Sequence, residues 1–279
     1  MSSPNNNEAR IQSIGNLPPM PVVAQKLFDV MRDDQLNIEM IADCISEDPG
    51  LSARIVSAAN KACFSGQREV FSVLDASVRM GLNRVQVITT SILIGLRFNP
   101  AECDGFDLEQ YWRKALSMAF CASKVAKYAP FEAPPESAYL CGLLHNLGLL
   151  ISTYLFPKEM GLVFQRKDEG AGTLAEIQRE HLGFTPGQVG AEVAERWKLP
   201  QSIIDVIACD LAADYCGEYP NLIRMIEFCE SWIRDEFEVI PCVQQIGEVP
   251  EKVLESIARM SIKESDQLDG MVQHIVKAA

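Results

Sequence analysis

The chain has few of the residues from which enzymes build metal and nucleophilic sites. Three histidines in 279 residues, His145, His181 and His274, are too few for a metal site built mainly on imidazole. The nine cysteines include no Cys-x-x-Cys pair, which removes zinc spacing, and their odd number argues against a closed disulfide set. No P-loop, no Gly-x-Gly-x-x-Gly after a strand and no Gly-x-Ser-x-Gly elbow occurs. Alternating strand patterns and hairpin signals are missing too. Basic residues are the minority, 25 Lys and Arg against 38 Asp and Glu, for a net charge of -13. They are also dispersed, with Arg79, Arg84 and Arg97 forming local spots rather than a stripe, so nucleic acid is not an expected partner. No apolar run reaches the roughly 18 uncharged residues of a membrane helix. The nearest approach, Leu140 to Leu155, is interrupted by His145 and Asn146. The N-terminal residues lack the apolar core of a signal peptide, so a cytoplasmic protein without membrane insertion is expected.

What is present is globular. Hydrophobic residues make up 48% and charged residues 23% of the chain, ordinary values for a packed domain. The apolar residues recur at helical spacing throughout. Val23, Leu27, Val30 and Met31 give one helix; Asn37 caps a second through Ile38, Ile41, Ala42 and Ile45. Asp48-Pro49, a cap followed by a proline suited to the first helical position, opens a third through Leu51, Ile55 and Ala59. Ser72 to Met80 is a short helix that Gly81 stops. The segment VQVITTSILIGLRF is β-branched, but its length favours a buried helix. Asp107 caps a long amphipathic helix carrying Tyr111, Trp112, Ala115 and Ala119. Thr173-x-x-Glu176 and Thr185-Pro186-x-Gln188 are capping boxes. Further helices are expected from Ser202 to Tyr215, from Asn221 to Phe237 and over the last forty or so residues. The fold class is all-α.

One stretch concentrates the chemistry. From Glu136 to Phe156, Leu140, Leu143, Leu144, Leu147, Leu150 and Ile151 make one face of a central helix apolar, and Leu149, Leu155 and Phe156 widen it nearly all round. Into this helix the chain sets His145 and Asn146, polar groups that need partners or cost about 1–3 kcal/mol unsatisfied. His181, near a helix C-terminus, suits a structural role as a cation there. His274 reads as a surface or packing residue.

The sequence around His145, GLLHNLG, resembles the His-Asp dyad motif GLLHDIG of the HD superfamily of metal-dependent phosphohydrolases. Other segments extend the likeness: LPPMP, SEDPGLSARIVSAANKACF, ASVRMGLNRVQ, YWRKAL and the Gly183-Phe184 to Leu199-Pro200 segment. Together they resemble the HDOD domain, the HD-related output domain of bacterial signalling proteins, over Leu17 to Asp214. The polar residues 1–16 read as a flexible tail, and the resemblance implies an HDOD domain over 17–215. Within it, a helical subdomain at 17–99 would pack on a degenerate HD-like subdomain at 107–215, with a C-terminal helical extension at 216–279.

Transferred position by position, the resemblance implies a depleted metal site. Lys114 stands where catalytic relatives place a histidine, Asn146 replaces the dyad aspartate, Pro186 takes another histidine position, and Cys209-Asp210 replace a pair of histidines. His145 and Asp210 are the remaining weak metal candidates. A neutral amide cannot balance a divalent charge as a carboxylate does, and a lysine repels a cation. No catalytic residue, metal or cofactor is therefore expected. The implied function is a non-catalytic signal-transduction module acting through signalling-protein contacts or a bound small signal. Two alternatives stand beside it: a phosphohydrolase with an atypical metal site, and a sensor of a small anionic ligand in a pocket of Lys114, His145, Asn146, Cys209 and Asp210.

Overall fold

The computed structural model describes residues 20, 22–31, 35–60, 69–98, 100, 102–133, 137–209, 217–241, 243–247 and 249–277. Among these every regular element is a helix and none is a strand. The tail, most of the LPPMP segment and Asp210 to Tyr215 lie outside the described residues.

The N-terminal helices are α1 (Val22–Val30), α2 (Ile38–Ser46), α3 (Pro49–Ala59), α4 (Val73–Met80) and α5 (Leu82–Gly95). Their starts follow local chemistry. Asn37 Oδ1 accepts from Met40 N at 2.9 Å, Asp48 Oδ1 from Leu51 N at 3.0 Å and Ser72 Oγ from Asp75 N at 3.0 Å. Each side chain satisfies a backbone N–H that has no partner inside its helix. Gly81 ends α4 at φ 81°, a conformation open to glycine at little cost. The β-branched segment is helix α5, buried from Val85 to Gly95. It touches α2, α3 and α4 on one side and the following helices on the other. That double contact is why its apolar residues run round the helix rather than along a stripe.

Next come α6 (Leu108–Val125), α7 (Ser137–Leu144), α8 (Leu147–Leu155), α9 (Pro157–Asp168), α10 (Leu174–Leu182), α11 (Pro186–Arg196) and α12 (Gln201–Ala208). The Asp107 cap and both capping boxes form as the sequence indicates. The central stretch departs from expectation. It is not one helix but two, α7 and α8, broken at His145 and Asn146. By length and composition Ser137–Leu155 also reaches the range of a membrane span, at mean hydropathy 1.3, against the shorter run expected from sequence. Inside the fold 72% of it is buried, which accounts for its apolarity.

Glycines let these helices approach closely. A Cβ on Gly142 would lie 2.5 Å from Met118 O, so α7 meets the backbone of α6 directly. On Gly148 it would lie 1.7 Å from Pro186 O, and on Gly190 2.8 Å from Gly148 N, so α8 and α11 also cross backbone to backbone. His145 and Asn146 are held between these two contacts.

The C-terminal helices α13 (Pro220–Arg234), α14 (Glu251–Lys263) and α15 (Ser265–Val276) all pack on α6, and α15 also reaches α3 and α5. Ion pairs run across this seam. Lys124 Nζ lies 2.9 Å and Arg84 Nη2 3.2 Å from the carboxylate of Glu264, and Arg113 pairs with Asp269. The Glu132 carboxylate meets the start of α13, accepting from Asn221 N at 3.2 Å and Leu222 N at 3.3 Å. An anion at a helix N-terminus is favourable, and it fixes where α13 begins. One continuous buried core runs from Met20 to Ile275.

Candidate functional site

His145 occupies the turn between α7 and α8. Its Nδ1 lies 2.7 Å from Gly142 O, and because a carbonyl only accepts, Nδ1 carries the hydrogen and donates. Nε2 is left as a lone-pair nitrogen, buried and without a hydrogen-bond partner. The residue as a whole is half-buried, its exposed part lying away from Nε2. Burial lowers the imidazole pKa from 6.5 to about 4; the Glu230 carboxylate pulls it up, Lys114 pushes it down and the Gly142 carbonyl raises it. The ring is neutral near pH 7.

Lys114 projects from α6, where Tyr111, Ala115 and Met118 are buried. Its Nζ forms an ion pair with Glu230 Oε1, the lysine side chain being 40% and the glutamate 17% exposed. Glu230 belongs to α13, outside every segment that carried the resemblance. It is the site residue that sequence reasoning missed. It flanks the apolar face of Leu222, Ile226, Cys229 and Ile233, where a carboxylate reads as ordinary surface. Lys114 is 116 positions away, so no spacing pattern links the two.

Asn146 contributes backbone rather than side chain to the polar network. Its carbonyl accepts from Tyr111 Oη at 3.5 Å, and its side chain does not cap α8. Pro186 is the first residue of α11 and is buried, with its carbonyl against Gly148 as described. Cys209 sits at the C-terminal end of α12, its N–H bonded to Asp205 O at 3.1 Å. Helix α12 packs on α7, and Asp210 lies outside the described residues. The structure therefore groups Lys114 and His145 with Glu230, while Asn146 joins the turn through its main chain. His181 lies elsewhere: Arg166 Nη1 donates to its Nε2 at 3.1 Å. That bond ties the end of α10 to α9, in keeping with a structural role. Of His274, only its place in α15 is described.

The donor set decides what could bind. His145, with Nδ1–H on a carbonyl and Nε2 free, has the tautomer of a metal-ligating imidazole. Its ionised neighbours are an ammonium and a carboxylate already paired to it, and the residue that follows it, Asn146, carries a neutral amide. Among the described residues no group of three or more His, Cys, Asp or Glu is placed to hold a metal ion. A divalent ion activating water needs several anionic or imidazole ligands plus an open position. These residues do not fit that group.

The family model for the HDOD domain matches residues 17–212. The chain belongs to the HDOD domain family. It is 24% identical over 222 residues to an uncharacterized protein of Treponema pallidum (strain Nichols), covering 79% of this chain and 43% of that one. It thus spans less than half the length of that relative. Among solved structures it resembles a Marinobacter aquaeolei VT8 protein provisionally named for signal transduction, at TM-score 0.80 and 23% identity, over 97% of this chain and 66% of that one. An HDOD domain protein of unknown function from Geobacter sulfurreducens gives 0.73 at 21% identity, over 96% of this chain and 98% of the other. A Shewanella amazonensis SB2B protein provisionally named as a phosphohydrolase gives 0.71 at 22%, over 96% and 98%. At such identities the likeness is one of fold. It extends through the C-terminal helices, beyond the reach of the family model.

Proposed function

We propose that this HDOD chain is a cytoplasmic signal-transduction module that works through contacts with other signalling proteins and does not hydrolyse phosphate esters. One observation carries the reading: the Lys114–Glu230 ion pair beside His145. An ammonium in that position opposes a divalent ion by direct repulsion, and Asn146 removes the carboxylate that would offset it. The name of the Marinobacter relative agrees with a signalling role; the name of the Shewanella relative favours the opposite reading of the same fold. Pro186 sides with the first, because its ring serves as a helix start and offers no ligand atom.

Turnover separates the two. With manganese and a chromogenic phosphodiester, the wild-type chain and its His145→Ala variant should give the same background rate. Hydrolysis by the wild type that His145→Ala abolishes would overturn the proposal. If turnover is absent, inorganic phosphate and nucleotides should leave the melting temperature unchanged, since Lys114 already has its anion in Glu230. A stabilising shift that Lys114→Ala removes would replace the protein-contact role with ligand sensing.

A further inference from the structure

A cavity that shares no residue with the His145 turn opens between α1, α5 and the end of α11. Leu27 and Phe28 of α1, Leu93 of α5, Trp197 and Met20 are among its walls, all of them buried. Trp197 is held there by stacking on Phe98, with ring centroids 6.0 Å apart. The space is narrow, about 290 Å³ with its open mouth included.

Two polar residues share these walls, Thr90 and Arg97, and both lack partners. Thr90 is 1% exposed, and its Oγ1 has no hydrogen bond. The next hydroxyl along α5, that of Ser91, donates to Val87 O at 2.7 Å. Thr89 Oγ1 is unpartnered as well, but Thr89 is not part of the wall. Arg97 is exposed, and among the described residues its guanidinium has no hydrogen bond or ion pair. The other two basic spots of the sequence are engaged, Arg84 with Glu264 at 3.2 Å and Arg79 with Asn60 Oδ1 at 3.2 Å. Thr90 and Arg97 are seven positions apart. That is two helical turns, so they share one side of α5 with about 10 Å between them along its axis. Buried Thr90 marks the inner part of the cavity and exposed Arg97 its mouth.

Apolar walls with a few polar anchors are the make-up of a small-molecule site. A free guanidinium calls for a carboxylate, and a buried hydroxyl without a partner calls for a hydroxyl or N–H. The narrow space between them suits a flat ring. We propose that this cavity binds a small aromatic carboxylic acid with a hydroxyl or N–H group at the end opposite its carboxylate. The carboxylate pairs with Arg97, the ring lies among Phe28, Leu93 and Trp197, and the far polar group meets Thr90 Oγ1. Met20, whose unbranched side chain adapts readily, is the wall that gives way as the ring enters. The bound acid joins α1 and α5 to the end of α11, reinforcing the contact between the N-terminal helices and those that follow. The site stands apart from the reading of His145 above and does not depend on it.

The test is thermal melting of the full chain with millimolar para-hydroxybenzoate or para-hydroxyphenylacetate, against benzoate and the uncharged para-hydroxybenzamide. At least one of the two hydroxy acids should raise the melting temperature saturably, by about 2 °C or more. Benzoate should give less and the amide nothing. Arg97→Gln, an exposed change that leaves the fold intact, should abolish the response. Thr90→Val keeps the shape of the side chain without its hydroxyl and should reduce the response to that of benzoate. Lys114→Met should leave the response unchanged, which separates this cavity from any ligand at His145. No saturable shift with either hydroxy acid, or a shift that survives Arg97→Gln and Thr90→Val undiminished, would overturn the proposal. None of these readings involves turnover, so a hydrolytic wild type would remove the functional proposal while the acid melts still judged the cavity.

Discussion

Lowering the pH from neutrality should add a proton to His145 in the unfolded chain well before the folded chain accepts one. The ordinary imidazole value is 6.5, and burial brings the folded one down to about 4, with Glu230 and Lys114 acting in opposite directions on it. Above the unfolded value the two states bind equal numbers of protons here and stability is unaffected. Between the two values the unfolded state is protonated and the folded state is not, so stability falls as the pH falls. At about 1.36 kcal/mol per pH unit over about 2.5 units, the loss reaches about 3 kcal/mol and is complete near the folded value. Against a total of about 5–15 kcal/mol for an ordinary domain, that is a large fraction.

Urea unfolding of wild type and His145→Gln, repeated from about pH 7 to about 4.5, isolates the imidazole, because the carboxylates that also titrate are common to both chains. Wild type should lose about 2 kcal/mol more than the variant over this range. Equal pH slopes would show that the ring is solvated, and the argument from an unpartnered Nε2 would fall with it. Histidine NMR titrations add a test of sign. Lys114→Met should raise the His145 pKa and Glu230→Gln should lower it. Shifts of the same sign in both variants would place the ion pair away from the ring.

Three other perturbations probe the frame that holds this turn. Gly148→Ala drives a methyl group into the Pro186 carbonyl and should cost about 3 kcal/mol in urea unfolding; a near-neutral result would mean that α8 and α11 can slide apart. Thr185→Ala removes a fully buried cap that accepts from Gln188 N at 3.2 Å, for a loss of about 1–2 kcal/mol measured the same way. Glu264→Gln weakens the bridge from α14 and α15 to Arg84 and Lys124. It should cost about 1 kcal/mol at low ionic strength and less in about 1 M salt, a difference to be followed by thermal melts at both salt levels.

Where structure depends on neighbours in the chain, the sequence was a sufficient guide. Asn37, Asp48, Asp107, Thr173 and Thr185 all cap helices because the N–H groups they serve lie three residues away. Even the β-branched segment became helix α5, since a helix buried on all sides needs apolar residues all round. The His145–Asn146 break did not show in the sequence, because its apolar pattern runs on unbroken on both sides. What interrupts the helix there is tertiary. Gly142 is pressed against α6 and Gly148 against α11, so α7 and α8 each follow a different neighbour, and the two residues between them turn the chain.

The charge of the site was the least legible feature. Lys114 read alone suggests a positive pocket open to an anion. Paired with Glu230, it is one half of a neutral ion pair whose anion is supplied from a distant helix. Which of these is true depends on α13 docking against α6, a packing outcome set by Leu222, Ile226 and Cys229 in the core and by Glu132 at the helix start. A lysine in such a position therefore says little until its counter-ion is known. If the counter-ion had come from solvent, the same sequence motif would describe an anion sensor. Because it comes from the chain, Lys114 already has its anion, and that difference is what the phosphate and nucleotide melts are built to read.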